Sequence, residues 1–123
     1  MTHRRSLSIA GLVAGATLLV AGTASAHAHL VKSNPAANAT VAAPKTISLT
    51  FNEKLTPAFS KFELVMPTMN NMAVAVKTAV SKDGLTITGT PQAPLTPGAY
   101  KINWHAASSD GHKMDGVVDF TVK

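Results

Sequence analysis

From residue 46 to its end, the chain is a succession of short β-forming stretches. Each is cut off by a turn residue before it reaches helix length. The stretches are rich in Val, Ile, Thr and Phe, and Pro, Gly, Asn and Asp separate them, which is the signature of strands and turns. Residues 46–51 alternate cleanly, with Ile47, Leu49 and Phe51 on one face. Further strands are expected at 62–66, 74–76, 100–104 and 117–122, and at 85–88 after the turn Lys82-Asp83-Gly84. Alternation sends Tyr100, Ile102 and Trp104 to one side and His105 to the other. Trp104 is then the core tryptophan and His105 a solvated histidine. No long stretch has helical periodicity. About seven short strands in roughly a hundred residues predict an all-β fold, an immunoglobulin-like Greek-key β-sandwich. Asn34-Pro35 and Thr90-Pro91 read as loops.

The N-terminus reads differently. His3, Arg4 and Arg5 precede an apolar stretch over 7–21, and the small residues Ala24-Ser25-Ala26 follow. This is the three-part pattern of a secretory leader, and its apolar part is short for a membrane span. The expected organisation is a cleaved signal peptide over 1–26 and one domain over 27–123. Arg4-Arg5 is a partial match to a twin-arginine signal. Either export route crosses a bacterial inner membrane, so the expected location is the periplasm. Removing the leader lowers the formal charge from +5 to +3. The remainder has no cluster of Lys or Arg and few aromatics, which argues against nucleic acid as a partner. Cysteine is absent. The core must therefore hold without disulfides, and any transition-metal site must use histidine, carboxylate, amine or methionine.

Cleavage after Ala26 makes His27 the first residue. Its α-amine has a pKa of about 8, so a metal can displace its proton near neutral pH. Amine and imidazole together suit copper(II), which favours tetragonal nitrogen and oxygen ligation. In the segment Ser108-Ser109-Asp110-Gly111-His112, a carboxylate and an imidazole flank a glycine that permits a tight bend. They can complete a site begun by His27, with Asp110 either ligating or orienting His112 from outside. An Asx turn carrying an exposed histidine is the bland alternative. His29, third in the mature chain, belongs to a competing chelate through the amides of residues 28 and 29. Folding opposes that chelate, and alternation places His27 and His29 on one face of a strand. Met66, Met69 and Met72 recur every third residue in a stretch with Pro67, Asn70 and Asn71 that reads as a loop. Thioethers are soft ligands that favour copper(I).

Taken jointly, these features resemble the CopC/PcoC family of periplasmic copper-binding proteins over essentially the whole mature chain. The resemblance is carried by His27-Ala28-His29-Leu30 through Ser33-Asn34-Pro35-Ala36 and by Ile47 to Phe51 with Asn52-Glu53. It continues in Pro97-Gly98-Ala99-Tyr100, Trp104 and Ser108 to His112. It implies copper(II) ligation by His27 and His112, with Asp110 as an axial or outer ligand and Glu53 as a further carboxylate near the site. It also implies a copper(I) site on the methionine loop and a partner at the inner membrane that imports or handles copper. The resulting expectation is a protein that sequesters or carries copper and is not an enzyme. Two other readings stay open: a copper redox enzyme with a histidine-brace-like centre, and a plain sandwich interaction module.

Overall fold

A computed structural model describes residues 28–123; the expected leader and His27 lie outside the described residues. Within them the strands are β1 (Leu30–Asn34), β2 (Thr40–Val41), β3 (Ile47–Phe51), β4 (Lys61–Met66) and β5 (Met72–Val74). They continue with β6 (Val76–Val80), β7 (Thr86–Pro91), β8 (Gly98–Ala107) and β9 (Lys113–Val122). One sheet has the order β1-β3-β7-β6 and the other β2-β9-β8-β4-β5. Without the two short edge strands β2 and β5, this is the seven-strand immunoglobulin arrangement of four strands against three. The expected sandwich is therefore the observed fold.

Alternation decides the two layers. Ile47, Leu49 and Phe51 from β3 meet Phe62 and Leu64 from β4, Tyr100, Ile102 and Trp104 from β8, and Val118, Phe120 and Val122 from β9. Burying each such side chain contributes about 1.5–3 kcal/mol. Phe51 and Trp104 join the sheets edge to face, with ring centroids 5.1 Å apart. Tyr100 stacks on Phe120 at 5.3 Å, and its hydroxyl donates to the Thr96 carbonyl at 2.6 Å. A tyrosine bonded back to the backbone just upstream is a recurrent corner device of these sandwiches.

Three expectations need correction. The single strand at 74–76 is two strands in different sheets, because the chain crosses between layers at Ala75. Residues 90–91 are not loop: β7 runs through Pro91, which pairs with Val76. The methionine segment is a tight hairpin connection in which Met66 pairs with Met72 across β4 and β5, and a short 3-10 turn covers Pro67–Met69. Asn70 and Asn71 take positive φ there, as asparagine does more readily than most residues.

Candidate metal centre

The long hairpin β8–β9 positions the Ser108–His112 segment. Its two strands pair over ten residues each, ending at Ala107 opposite Lys113. The tip is closed by Ser108 N–H donating to the His112 carbonyl at 2.9 Å and by Gly111 N–H donating to the Ser108 carbonyl at 2.9 Å. Gly111 has φ +93°, a conformation that glycine adopts without strain.

Inside this tip the side chains form a chain of contacts. The buried Ser108 hydroxyl donates to Oδ1 of Asp110. Oδ1 also accepts the His112 backbone N–H at 3.2 Å. Oδ2 lies 2.9 Å from His112 Nδ1. These donors, Ser108 first and His112 next, hold the Asp110 carboxyl at about 2, below its ordinary value of 3.8. Both carboxylate oxygens are thus engaged, and the aspartate is turned toward the imidazole. An ionised carboxylate only accepts, so the neutral ring carries its proton on Nδ1 and keeps a lone pair on Nε2 for a metal.

Two further segments reach the same end. Ser109 N–H donates to the Lys54 carbonyl at 3.1 Å, Thr56 N–H donates to the Ala107 carbonyl at 2.7 Å, and Leu55 bridges to Ser108. These bonds dock residues 54–56 on the hairpin tip. Asn52 then connects to the start of the domain. Its N–H donates to the His29 carbonyl at 3.1 Å, and its side-chain Oδ1 accepts the His29 N–H at 2.5 Å. Ala28 is buried in the core cluster. The chain immediately after His27 is therefore held on the segment that also carries the Asp110–His112 loop.

His29 precedes β1 rather than standing in it, and its ring is exposed. Its amide hydrogen is committed to Asn52, which disfavours a chelate through a deprotonated residue-29 amide. Glu53 is half-buried beside Asn52. Among the described residues, no three His, Cys, Asp or Glu side chains come together to hold a metal. Asp110 and His112 are brought together; Glu53 and His29 do not complete a cluster with them. The methionines separate as well. Met66 is 8% exposed and belongs to the core, whereas Met69 and Met72 are 55% and 50% exposed.

Residues 30–123 match the CopC domain family. The chain belongs to that family. It is 44% identical over 113 residues to Copper resistance protein C of Xanthomonas campestris pv. juglandis, covering 88% of this chain and 89% of the relative. PcoC, a methionine-rich copper resistance protein from Escherichia coli, has a similar crystal structure. Its TM-score is 0.73 at 42% identity, over 80% of this chain and all of that one. CopC from Methylosinus trichosporium OB3b gives a TM-score of 0.70 at 31% identity, over 79% and 94% of the two chains.

Two residues of this CopC domain escaped the sequence reading. In the sequence Asn52 stands only as part of the pair Asn52-Glu53, and Ser108 only as the first residue of the segment Ser108–His112. The available signal was their type: Asn and Ser at strand ends and turns bond nearby backbone and side chains. His105 is solvated as expected, and it has a partner. Its Nδ1 lies 3.0 Å from Oδ1 of Asp115, directly across the β8–β9 ladder. Lys61 flanks it on the opposite side, in β4. This row lies on the outer face of the five-stranded sheet.

Proposed function

We propose that this chain is a periplasmic copper-handling protein that sequesters or carries the metal and is not an enzyme. In this reading cleavage after Ala26 frees His27, whose amine and imidazole hold copper(II) together with Nε2 of His112. Asp110 acts as an outer partner that orients His112, and Glu53 supplies charge near the site rather than a bond to the metal. The observation that carries the reading is the double bond pattern between His29 and Asn52, which anchors the start of the domain on the segment docked against the Asp110–His112 loop. The copper resistance names of its relatives support the choice of metal. Nitrogen-rich ligation without thiolate suits copper(II). The partner that receives or supplies copper is an inner-membrane copper transport protein.

Two mature forms test this reading by copper(II) titration and electron paramagnetic resonance. One begins at His27 and the other carries one extra alanine before it. Tight one-to-one binding with a tetragonal, nitrogen-rich spectrum is expected only for the first. Equal binding by both forms overturns the terminal site. Oxygen and ascorbate consumption no faster than that of free copper is expected, and a faster rate favours the redox-enzyme reading instead.

A second metal reading concerns copper(I). The exposure of Met69 and Met72 at the β4–β5 hairpin, with Met66 in the core, favours a site resting on two sulfurs rather than three. Copper(I) titration of Met69→Leu and Met72→Leu against Met66→Leu tests it. Only the first two changes are expected to weaken binding.

A further inference from the structure

Ser108 is one of two buried polar residues among the described ones, 1% exposed. A buried hydroxyl needs a partner. Ser60, the other, exchanges hydrogen bonds with the backbone of Ala107. Ser108 has two acceptors in reach, Oδ1 of Asp110 and, at 3.4 Å, the His112 carbonyl. Its single hydrogen goes to the nearer one, the carboxylate. The backbone of Ser108 is fixed independently by the His112 carbonyl, by Gly111, by the hydroxyl of Thr56 at 3.3 Å and by the bridge to Leu55. The hydroxyl is therefore a rigidly mounted donor, and Asp110 is the movable part between it and His112.

We infer that Ser108 is a positioning residue: its hydroxyl locks the Asp110 carboxylate against His112 Nδ1, which fixes the imidazole as the Nδ1–H tautomer and reserves Nε2 for a ligand. A free histidine side chain prefers the opposite tautomer, with the proton on Nε2. That preference would have to be reversed before every metal capture. The Ser108–Asp110 contact does this in advance, in the metal-free protein. An outer-partner carboxylate that is itself held in place commonly matters as much as the ligand it orients. The role in capturing copper rests on the reading above; the tautomer lock stands without it.

The test uses the metal-free domain starting at His27, labelled with 15N, in mildly alkaline buffer, where imidazoles are ordinarily neutral. Ring 15N shifts report the tautomer. The native protein is expected to show His112 mainly as Nδ1–H. Ser108→Ala is expected to lower the Nδ1–H to Nε2–H ratio several-fold, and Asp110→Ala to lower it as far or further. The double variant is expected to match Asp110→Ala alone, because the hydroxyl acts only through the carboxylate. Ser109→Ala, a change at the exposed neighbour, is the control expected to alter nothing. A native His112 protonated on Nε2, or a Ser108→Ala protein with the native ratio, overturns the inference. If Ser108→Ala does not fold, the native protein still decides. A slowly exchanging Ser108 hydroxyl proton is expected in its spectrum, and a rapidly exchanging one overturns the lock. Copper(II) affinity, measured in parallel, is expected to fall roughly 10-fold in Ser108→Ala. A shifted tautomer with unchanged copper affinity keeps the lock and removes His112 from the metal site.

Discussion

The indole of Trp104 occupies the space that a side chain at Gly116 would need. The two residues face each other across β8 and β9, and a Cβ at position 116 would come within 2.2 Å of the ring. The ring cannot give way, because Phe51 of the other sheet packs edge-on against it. Gly116→Ala is therefore expected to destabilise the domain by about 1–3 kcal/mol, the usual cost of overpacking a core. A lower urea midpoint with an unchanged slope checks it. A native midpoint would mean that the ring can move aside.

Tyr100→Phe removes one oxygen and leaves the stacking on Phe120 in place. It also leaves the Thr96 carbonyl without its 2.6 Å donor. The expected loss is about 1 kcal/mol, the typical net worth of such a bond. Thermal unfolding of the two proteins measures it.

The methionine run should divide by burial. Met66→Ala opens a cavity at the end of β4 and is expected to cost about 2 kcal/mol or more. Met69→Ala and Met72→Ala alter exposed side chains and are expected to stay within about 0.5 kcal/mol of the native protein. Denaturant titration separates these outcomes independently of any copper measurement.

Asp110 gives the hairpin tip a defined acid limit. Its folded value, about 2, lies below the ordinary 3.8, so the folded state favours the charged carboxylate. That contribution is fully present above the ordinary value and disappears as pH falls toward 2. The last acid-induced shift of the Asp110 carboxyl carbon in the metal-free protein is expected to centre at about 2 rather than at the ordinary 3.8. In Ser108→Ala the shift is expected to begin at higher pH.

Asn52→Ala should loosen the start of the domain without touching the hairpin tip. The alanine keeps the backbone bond to the His29 carbonyl but loses the side-chain acceptor of the His29 N–H. Faster amide exchange at His29 is expected, with residues 108–112 unchanged. Weaker copper(II) binding should accompany it in the form beginning at His27. His29→Ala leaves both backbone bonds possible and is expected to preserve the copper(II) spectrum.

Much of this architecture is legible in the amino-acid order because alternation is a local property. Ile47, Leu49 and Phe51 are buried as their spacing requires, and so are Tyr100, Ile102 and Trp104, while His105 faces outward. What stayed hidden depends on register between distant strands. Nothing around Val74-Ala75-Val76 announces a change of sheet, since three apolar residues suit either layer. The His105–Asp115 pair follows from a ladder whose offset is set at the hairpin tip, where Ala107 pairs with Lys113. Met66 is the last residue of the strand expected at 62–66 and the first of the methionine run, and the inward face it shares with Phe62 and Leu64 takes it into the core. At the candidate site, residue types and spacing pointed to Asp110 and His112. The engagement of both Asp110 oxygens and the part played by Ser108 are three-dimensional facts.

The crossing at Ala75 also matters to a fold that has no disulfides to hold its edges. β5 and β6 are the outermost strands of the two sheets on one flank, and they are consecutive pieces of a single segment. Exposed sheet edges are templates on which other chains can assemble. Here the template is broken: three residues line the edge in one layer and five in the other, with a change of plane between them. An incoming strand finds no continuous row of donors and acceptors to extend. The bend thereby guards this flank of the sandwich against edge-to-edge aggregation.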